Sequence, residues 1–440
     1  MKRIEGREGV RTTIVPLEYT HDHVRILSPL YGRCSDRSSV IGVLTSMSRN
    51  VKGRAKGRSV GTRARLQARI DDELAKIVER ATKAELQPPR QHHIVPESYL
   101  THWAEKGQIR VTDITENRPS FQTSPTRAAK ERDFYRMESE DLDPVEIPPL
   151  LFETLLGEVE GRAAGVMDKL IAKSTDIDLG DVANLTTYMA FQATRTRSAF
   201  EQQWVIGNEV AKLDLTHMTA AEIATLAKTN DLDVSDQEIA DAQSYISKIA
   251  SGEIPYGPQR ASIIGLAGKM AEQIAAIFSA RAWVLLETGR VLVTSDNPIL
   301  TIAGPGLPRD QFPGYEKAAV IIFPLAPSCA LAMFRPDVAM KLGYVGIEQG
   351  MKGDRLDPVE TNELNREIVM GADRWTFERP SKKVAEHIRA PGRTPQMTSA
   401  STVEQLENGQ MSETRIFHTP TRWTGWLRNE PWPVARWWDS

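Results

Sequence analysis

Apolar side chains recur at Leu66, Ile70, Leu74, Ile77 and Ala81, with Asp71, Asp72 and Glu73 between them. Steps of three and four residues predict an amphipathic helix to about Leu86, closed by Pro88 and Pro89. The same period returns at Leu151, Leu155, Val159, Ala163, Val166 and Leu170. A second such run holds Leu185, Tyr188, Met189, Gln192 and Phe200, and a long helix is predicted over 261–280. Thr219 with Glu222 and Ser235 with Glu238 read as capping boxes, so the polar stretch 214–258 is a helical insertion. After residue 280 the period shortens. Residues 282–287 and 291–294 flank Thr288-Gly289-Arg290, which predicts a hairpin. Strands are expected at 318–324 and 329–334 around Pro327-Ser328, at 108–114, and at 374–378. Short helices are expected at 97–104 and 358–370. Helices in the middle and strands gathered late predict an α+β fold, a mostly helical section on a small, largely antiparallel sheet.

The pattern divides the chain into four parts. Residues 1–61 show little periodicity and read as a basic, mostly disordered extension, and 62–89 as a helical linker. Residues 90–380 form the α+β domain with its insertion at 214–258, and 381–440 a polar, then tryptophan-rich, tail. Of 440 residues, 40% are hydrophobic and 26% charged, which suits a chain with a substantial core and excludes a wholly disordered one. No run approaches eighteen consecutive apolar residues, so no membrane span is expected. The first residues, MKRIEGREGV, lead into no apolar signal region. Two cysteines, Cys34 and Cys329, cannot build a disulfide framework, and a reducing cytoplasm is the expected setting.

The net charge of −3 conceals an asymmetry. Residues 1–70 hold 15 Lys and Arg against 5 Asp and Glu, while the rest of the chain is acidic. The extension reads either as an arm that attracts phosphates by counterion release or as a solvated leader.

Four motifs could carry chemistry. The first is Gln91-His92-His93-Ile94-Val95-Pro96. Adjacent histidines can ligate one metal, or divide between a ligand and a general base; they can also simply pack under the helix that Pro96 starts. His-His-Ile-Val-Pro resembles the first strand of HNH nucleases, in which one residue of the pair binds a divalent metal and the next His activates water. The Asn and final His of that pattern are missing here. The second is Thr294-Ser295-Asp296-Asn297-Pro298, which puts a carboxylate and an amide at a strand end or else forms an Asx turn. The third is Phe191-Gln192-Ala193-Thr194-Arg195, where Gln192 and Arg195 share a helix face. Arg195 could hold a phosphate, pair with Asp296, or cap the helix end. The fourth is the C-terminus, where Trp423, Trp426, Trp432, Trp437 and Trp438 alternate with Arg422, Arg428 and Arg436. These could stack bases, anchor a protein partner, or fold back on the body. Glycine-rich phosphate loops and the HExxH and GxSxG motifs are absent from the sequence.

The order of these motifs resembles a largely bacterial domain-of-unknown-function family, numbered 4238. The resemblance runs from His92-His93-Ile94-Val95-Pro96, Tyr99-Leu100 and Trp103, through Asp133-Phe134-Tyr135 and Phe191-Gln192-Ala193, to Thr294–Pro298, Phe323–Pro327, Leu364-Asn365 and Gly371-Ala372. It covers about residues 90–380. Where the family usually has Pro after the helix's Arg-Thr, this chain has Arg197. The resemblance implies a fold and a set of polar positions, and no activity.

Three functional expectations follow. His92, His93, Gln192, Arg195, Asp296, Asn297 and Asn365 converge in one pocket in the first two. In the first, His92 and Asp296 hold a divalent metal, His93 activates water, and Arg195 steadies a phosphodiester under hydrolysis. In the second, Gln192, Arg195, Asn297 and Asn365 bind a nucleotide-like ligand in a non-catalytic sensor of defence or stress. In the third, the basic arm holds nucleic acid. A protein partner at the tryptophan-rich tail is a further expectation.

Overall fold

The computed structural model describes residues 60–438 except 117, 140–141, 175, 217, 230–231, 308, 310–312, 347–350, 389–397, 406–410 and 419–430, with backbone alone at 60–67, 69–70, 213–214, 398–405 and 411–418. The expectations for the basic extension and for Trp423 and Trp426 lie outside the described residues.

Helix α1 (Val60–Ala84) buries Ile77 and Ala81 and leads to strand β1 (Gln91–His93) and helix α2 (Glu97–Thr101). Strands β2 (Ile109–Asp113), β3 (Phe121–Thr123) and β4 (Lys130–Arg132) follow. Then come α3 (Leu151–Ile171), α4 (Leu179–Thr194) and α5 (Arg197–Thr216). The apolar stripe foreseen on α3 is buried along its whole length. The second predicted helix is two, because the chain breaks at Arg195-Thr196. Thr196 Oγ1 accepts from the N–H of Ala199 at 3.1 Å and so caps α5, whose first residue is Arg197. A family Pro at that point would sit at the favoured first position of the helix.

Residues 210–256 form a compact unit of their own. It contains α6 (Ala220–Thr229) and α7 (Asp236–Ala250), and Leu215, Ile223, Ala242, Ile246, Ile249 and Ile254 make its core. Both predicted capping boxes are present. The Ser235 N–H donates to Glu238 Oε2 at 2.7 Å, and that of Thr219 to Glu222 Oε2 at 2.8 Å.

The main body continues with α8 (Arg260–Ser279) and β5 (Ala282–Thr288), β6 (Thr294–Ser295) and β7 (Leu300–Ile302). Next are α9 (Gly314–Lys317), β8 (Val320–Ala326), β9 (Cys329–Phe334), α10 (Pro336–Lys341), β10 (Lys352–Leu356), α11 (Pro358–Gly371) and β11 (Trp375–Glu378). A separate antiparallel hairpin, β12 (Thr398–Gln405) and β13 (Met411–His418), completes the strands. Among the described residues one helix, α8, is long and apolar enough to cross a membrane by length and composition; it packs against α4.

A five-stranded sheet has the order β10-β5-β9-β8-β7, antiparallel except for the β10–β5 pair. Both of its faces are covered. Trp283, Leu285, Ile321, Phe323, Leu331 and Met333 face the core shared with α3, α4 and α8, and the intervening residues face a second core with α11. Burial on both sides explains why β8 and β9 read as unbroken apolar runs. A second sheet, β3-β2-β11-β6, is antiparallel, and β1 pairs with β4. The fold is the expected α+β with mostly antiparallel pairing.

One predicted hairpin is not formed. Residues 291–293 do not pair with β5, which lies between β9 and β10. They run as a buried loop held by side chains, and β6 pairs with β11 in the other sheet. The C-terminal tryptophans return to the body. Trp437 is buried in the second core edge-to-face with Phe334, and Trp432 and Trp438 pack beside it. Trp438 approaches Gly304 so closely that a Cβ there would stand 2.8 Å from its ring. Arg436 pairs with Asp354 and Glu360. This is the fold-back reading for these three tryptophans, in place of an exposed partner anchor.

Candidate functional site

Alternation along β1 sends the two histidines to opposite faces. His92 is fully buried and its ring lies parallel to that of Tyr135. Its Nδ1 accepts from the main-chain N–H of Tyr135 at 2.9 Å. The proton is therefore on Nε2, which donates to the Pro89 carbonyl at 3.1 Å. Burial lowers its pKa and keeps the ring neutral. Both nitrogens are engaged by main chain, which corrects the expectation of a metal ligand here: His92 is a clamp that ties the entry to β1 to the segment after β4.

His93 faces the other way. One ring nitrogen bonds the main chain of Thr126, and Nε2 is buried without a partner. Burial lowers its pKa, helped by Lys130 and by Arg195, while Glu97 acts in the opposite sense. Beside it, Gln192 is fully buried near the end of α4. Its Nε2 donates to the carbonyl of Ile94 at 3.1 Å, and its Oε1 accepts from Arg195 Nε at 3.2 Å and Nη2 at 2.7 Å. Arg195 is 1% exposed, and its Nη1 lies 2.8 Å from Glu160 Oε1 on α3. Burial opposes the guanidinium charge, but the Glu160 carboxylate more than offsets it and raises the pKa. The Tyr135 hydroxyl donates to the Arg195 carbonyl at 3.3 Å.

Three residues not expected at the site, Glu160, Glu153 and Tyr188, lie within electrostatic reach of Arg195. Glu160 neutralises Arg195. Glu153, two turns earlier on α3, is within electrostatic reach of both. Burial pushes its carboxyl up to about 7, the Glu160 charge adds to that, and Arg195 opposes it. Tyr188, two turns before Arg195 on α4, is 1% exposed and its hydroxyl has no partner. The signal was present as two glutamates seven residues apart within a helix whose inward face is otherwise apolar.

Asp296 sits elsewhere in the network. Its Oδ1 accepts from the N–H of Asp373 at 2.7 Å, and its Oδ2 from those of Arg374 at 2.8 Å and Trp375 at 3.0 Å. Asp373 in turn accepts from the N–H of Ser198 at 3.0 Å, so Asp296 connects to the helix break just past Arg195. Asn297 enters through its main chain, which exchanges bonds with Ser295 Oγ. Asn365 is 1% exposed; its Oδ1 accepts from Val293 N–H and its Nδ2 donates to the Val291 carbonyl, each at 2.9 Å. It holds the loop that replaced the predicted hairpin.

The seven candidates are therefore divided. Gln192 and Arg195 meet, His93 precedes the residue whose carbonyl Gln192 bonds and lies within electrostatic reach of Arg195, Asp296 is linked to Arg195's end of the helix through Asp373 and Ser198, and His92 and Asn365 serve as main-chain clamps. Arg195 pairs with Glu160, whereas Asp296 was one partner expected for it. Among the described residues no group of three His, Cys, Asp or Glu side chains is arranged to hold a metal ion.

The motifs that build these contacts, from His92-His93 through Arg195 to Asp296 and Asn365, lie within a match over residues 91–382 to the family described as a protein of unknown function, DUF4238. The chain belongs to this family. No match was found among curated proteins or among solved structures. The match spans the cluster and both clamps, and stops before the hairpin and the C-terminal tryptophans.

Proposed function

We propose that the chain binds a small polar molecule at the His93–Arg195–Glu160 cluster and handles protons there through His93 and Glu153. The observation that carries this reading is the buried, unpartnered Nε2 of His93, within electrostatic reach of a buried arginine. A buried polar atom without a hydrogen bond costs free energy, about 1–3 kcal/mol, and calls for a reason. A carboxyl raised to about 7 in the same cluster supplies a second group that exchanges protons near neutrality.

The cluster favours this over phosphodiester hydrolysis by His92 and Asp296. His92 has no nitrogen left for a metal, and the charge of Arg195 is met by Glu160. Binding without chemistry, as in a sensor, is the non-catalytic form of the same reading. The nucleic-acid reading rests on the charge of the extension alone. A cytoplasmic setting is part of the proposal, on the cysteine count.

The test is a thermal-shift screen of the wild type and His93→Ala against nucleosides, amines, sugars and phosphate esters, each with and without Mg²⁺ or Mn²⁺. One chemical class should raise the melting temperature of the wild type and leave the variant unmoved. Identical profiles for the two proteins would overturn the proposal. A ligand recovered unchanged after incubation identifies a binding module.

A further inference from the structure

Helix α8 begins as a buried end that nothing caps. The segment entering it is pressed onto α5: a Cβ on Gly207 would stand 2.3 Å from Pro258, and one on Gly257 would stand 2.8 Å from the Trp204 ring. Gln259 holds the N-cap position, and its side chain makes no capping bond. Ala261 and Ser262, in the first turn, are 1% and 7% exposed. Their main-chain N–H groups have no acceptor among the described residues. The Ser262 hydroxyl sits on the same turn, on a Cβ that leans toward the helix N-terminus, and it has no hydrogen bond to a described residue either. Helix ends buried without partners leave donors that a ligand can satisfy.

Charge adds to the demand. The first turn of α8 has no acidic residue and opens with Arg260, a cation at the positive end of the helix. Its guanidinium lies 5.1 Å over the Phe134 ring, and Nη1 donates to the Phe134 carbonyl at 2.8 Å. It pairs with no carboxylate among the described residues. Arg197, the first residue of α5, adds a second charge within electrostatic reach, and Glu131 pairs with Arg197. Unmet N–H and O–H donors with surplus positive charge fit one kind of ligand, an anion rich in acceptor oxygens.

We propose that the N-terminus of α8 binds a phosphate group, held by the amides of Ala261 and Ser262, the Ser262 hydroxyl and the Arg260 guanidinium. A phosphate presents at least three acceptor oxygens to this set of donors, and a carboxylate only two. The site stands apart from the binding reading above and shares no donor with it. Arg260 holds the Phe134 carbonyl, whereas the neighbouring Tyr135 donates its hydroxyl to the carbonyl of Arg195.

Isothermal titration calorimetry of the full chain with inorganic phosphate, phenyl phosphate and acetate tests this. At least one of the two phosphates should bind, and acetate about tenfold more weakly or not at all. The tighter of the two identifies the source as the free ion or a monoester. Ser262→Ala and Arg260→Gln should each weaken phosphate binding about tenfold. Gln259→Asp supplies the missing cap carboxylate, so it should raise the melting temperature of the free chain by a few degrees and abolish phosphate binding. That variant serves if Arg260→Gln does not fold. Phosphate bound equally by the wild type and Gln259→Asp overturns the proposal, as does acetate bound as tightly as phosphate. Binding lost in His93→Ala and kept in Ser262→Ala assigns the phosphate to the His93 cluster and overturns it too. If neither phosphate binds the wild type at millimolar concentration, the proposal falls.

Discussion

The main-chain N–H of Tyr135 donates to Nδ1 of His92 at 2.9 Å, and that bond fixes the tautomer of the first histidine in the pair. With the proton on Nε2 and the Pro89 carbonyl receiving it, His92 joins the segment before β1 to the one after β4, which the Arg90–Asp133 pair also connects. The pair that looks symmetric in sequence is therefore divided, one ring for the frame and one for the cluster.

His92→Phe keeps the ring stack and removes both hydrogen bonds, which leaves the buried N–H of Tyr135 without a partner while the exposed Pro89 carbonyl turns to water. The expected loss is about 1–3 kcal/mol in urea denaturation at pH 7.5. The wild type should also lose stability in acid. Burial depresses the pKa of His92 and of His93 in the folded chain, so the unfolded chain takes up protons first. Their contribution is complete above the unfolded value near 6.5 and fades as pH falls through the folded values. The variant should show a shallower decline below pH 6.5, and an unchanged slope would contradict the neutral clamp.

Asp296 holds three consecutive main-chain amides, those of Asp373, Arg374 and Trp375, at the start of β11. Asp296→Asn is nearly isosteric but replaces one acceptor oxygen with an amino group that opposes an N–H. A loss of about 2–4 kcal/mol is expected, close to that of Asp296→Ala. A melting temperature for Asp296→Asn within error of the wild type would mean that the charge of Asp296 is not what holds this turn.

The sequence was most informative where a single period governs a segment. The stripe from Leu151 to Leu170, the capping boxes at Thr219 and Ser235, and the paired strands around Pro327-Ser328 could all be read directly, because local spacing decides them. The hairpin at Thr288–Arg290 failed because its second half is fixed by Asn365, 72 and 74 residues away, and no local rule contains that contact. In the candidate site, Gln192 and Arg195 were legible as neighbours one turn apart. Glu153 and Glu160 were not, since an ionisable residue on a buried helix face looks like a solvated one until the opposing helix supplies Arg195. Trp437 was ambiguous for a similar reason, and its contact with Phe334 across the second core resolves it.

Glu153 makes the cluster measurable without any ligand. Its carboxyl is raised to about 7, chiefly by burial, so the folded chain holds a proton that the unfolded chain has already released at that pH. Stability from this group is complete below the unfolded value near 4.3 and is lost as pH rises through the folded value. Glu153→Gln removes an ionisation that opposes folding, and at pH 8 it should stabilise the chain by about 1–3 kcal/mol, less whatever the lost attraction to Arg195 contributed. Between pH 4.5 and 7 the two proteins should converge as pH falls. Denaturation curves for wild type and variant at four pH values across that window provide the measurement. A variant less stable than the wild type at pH 8 would mean that Glu153 is a paired, structural carboxylate, and the proton-handling role assigned to it would go with that result.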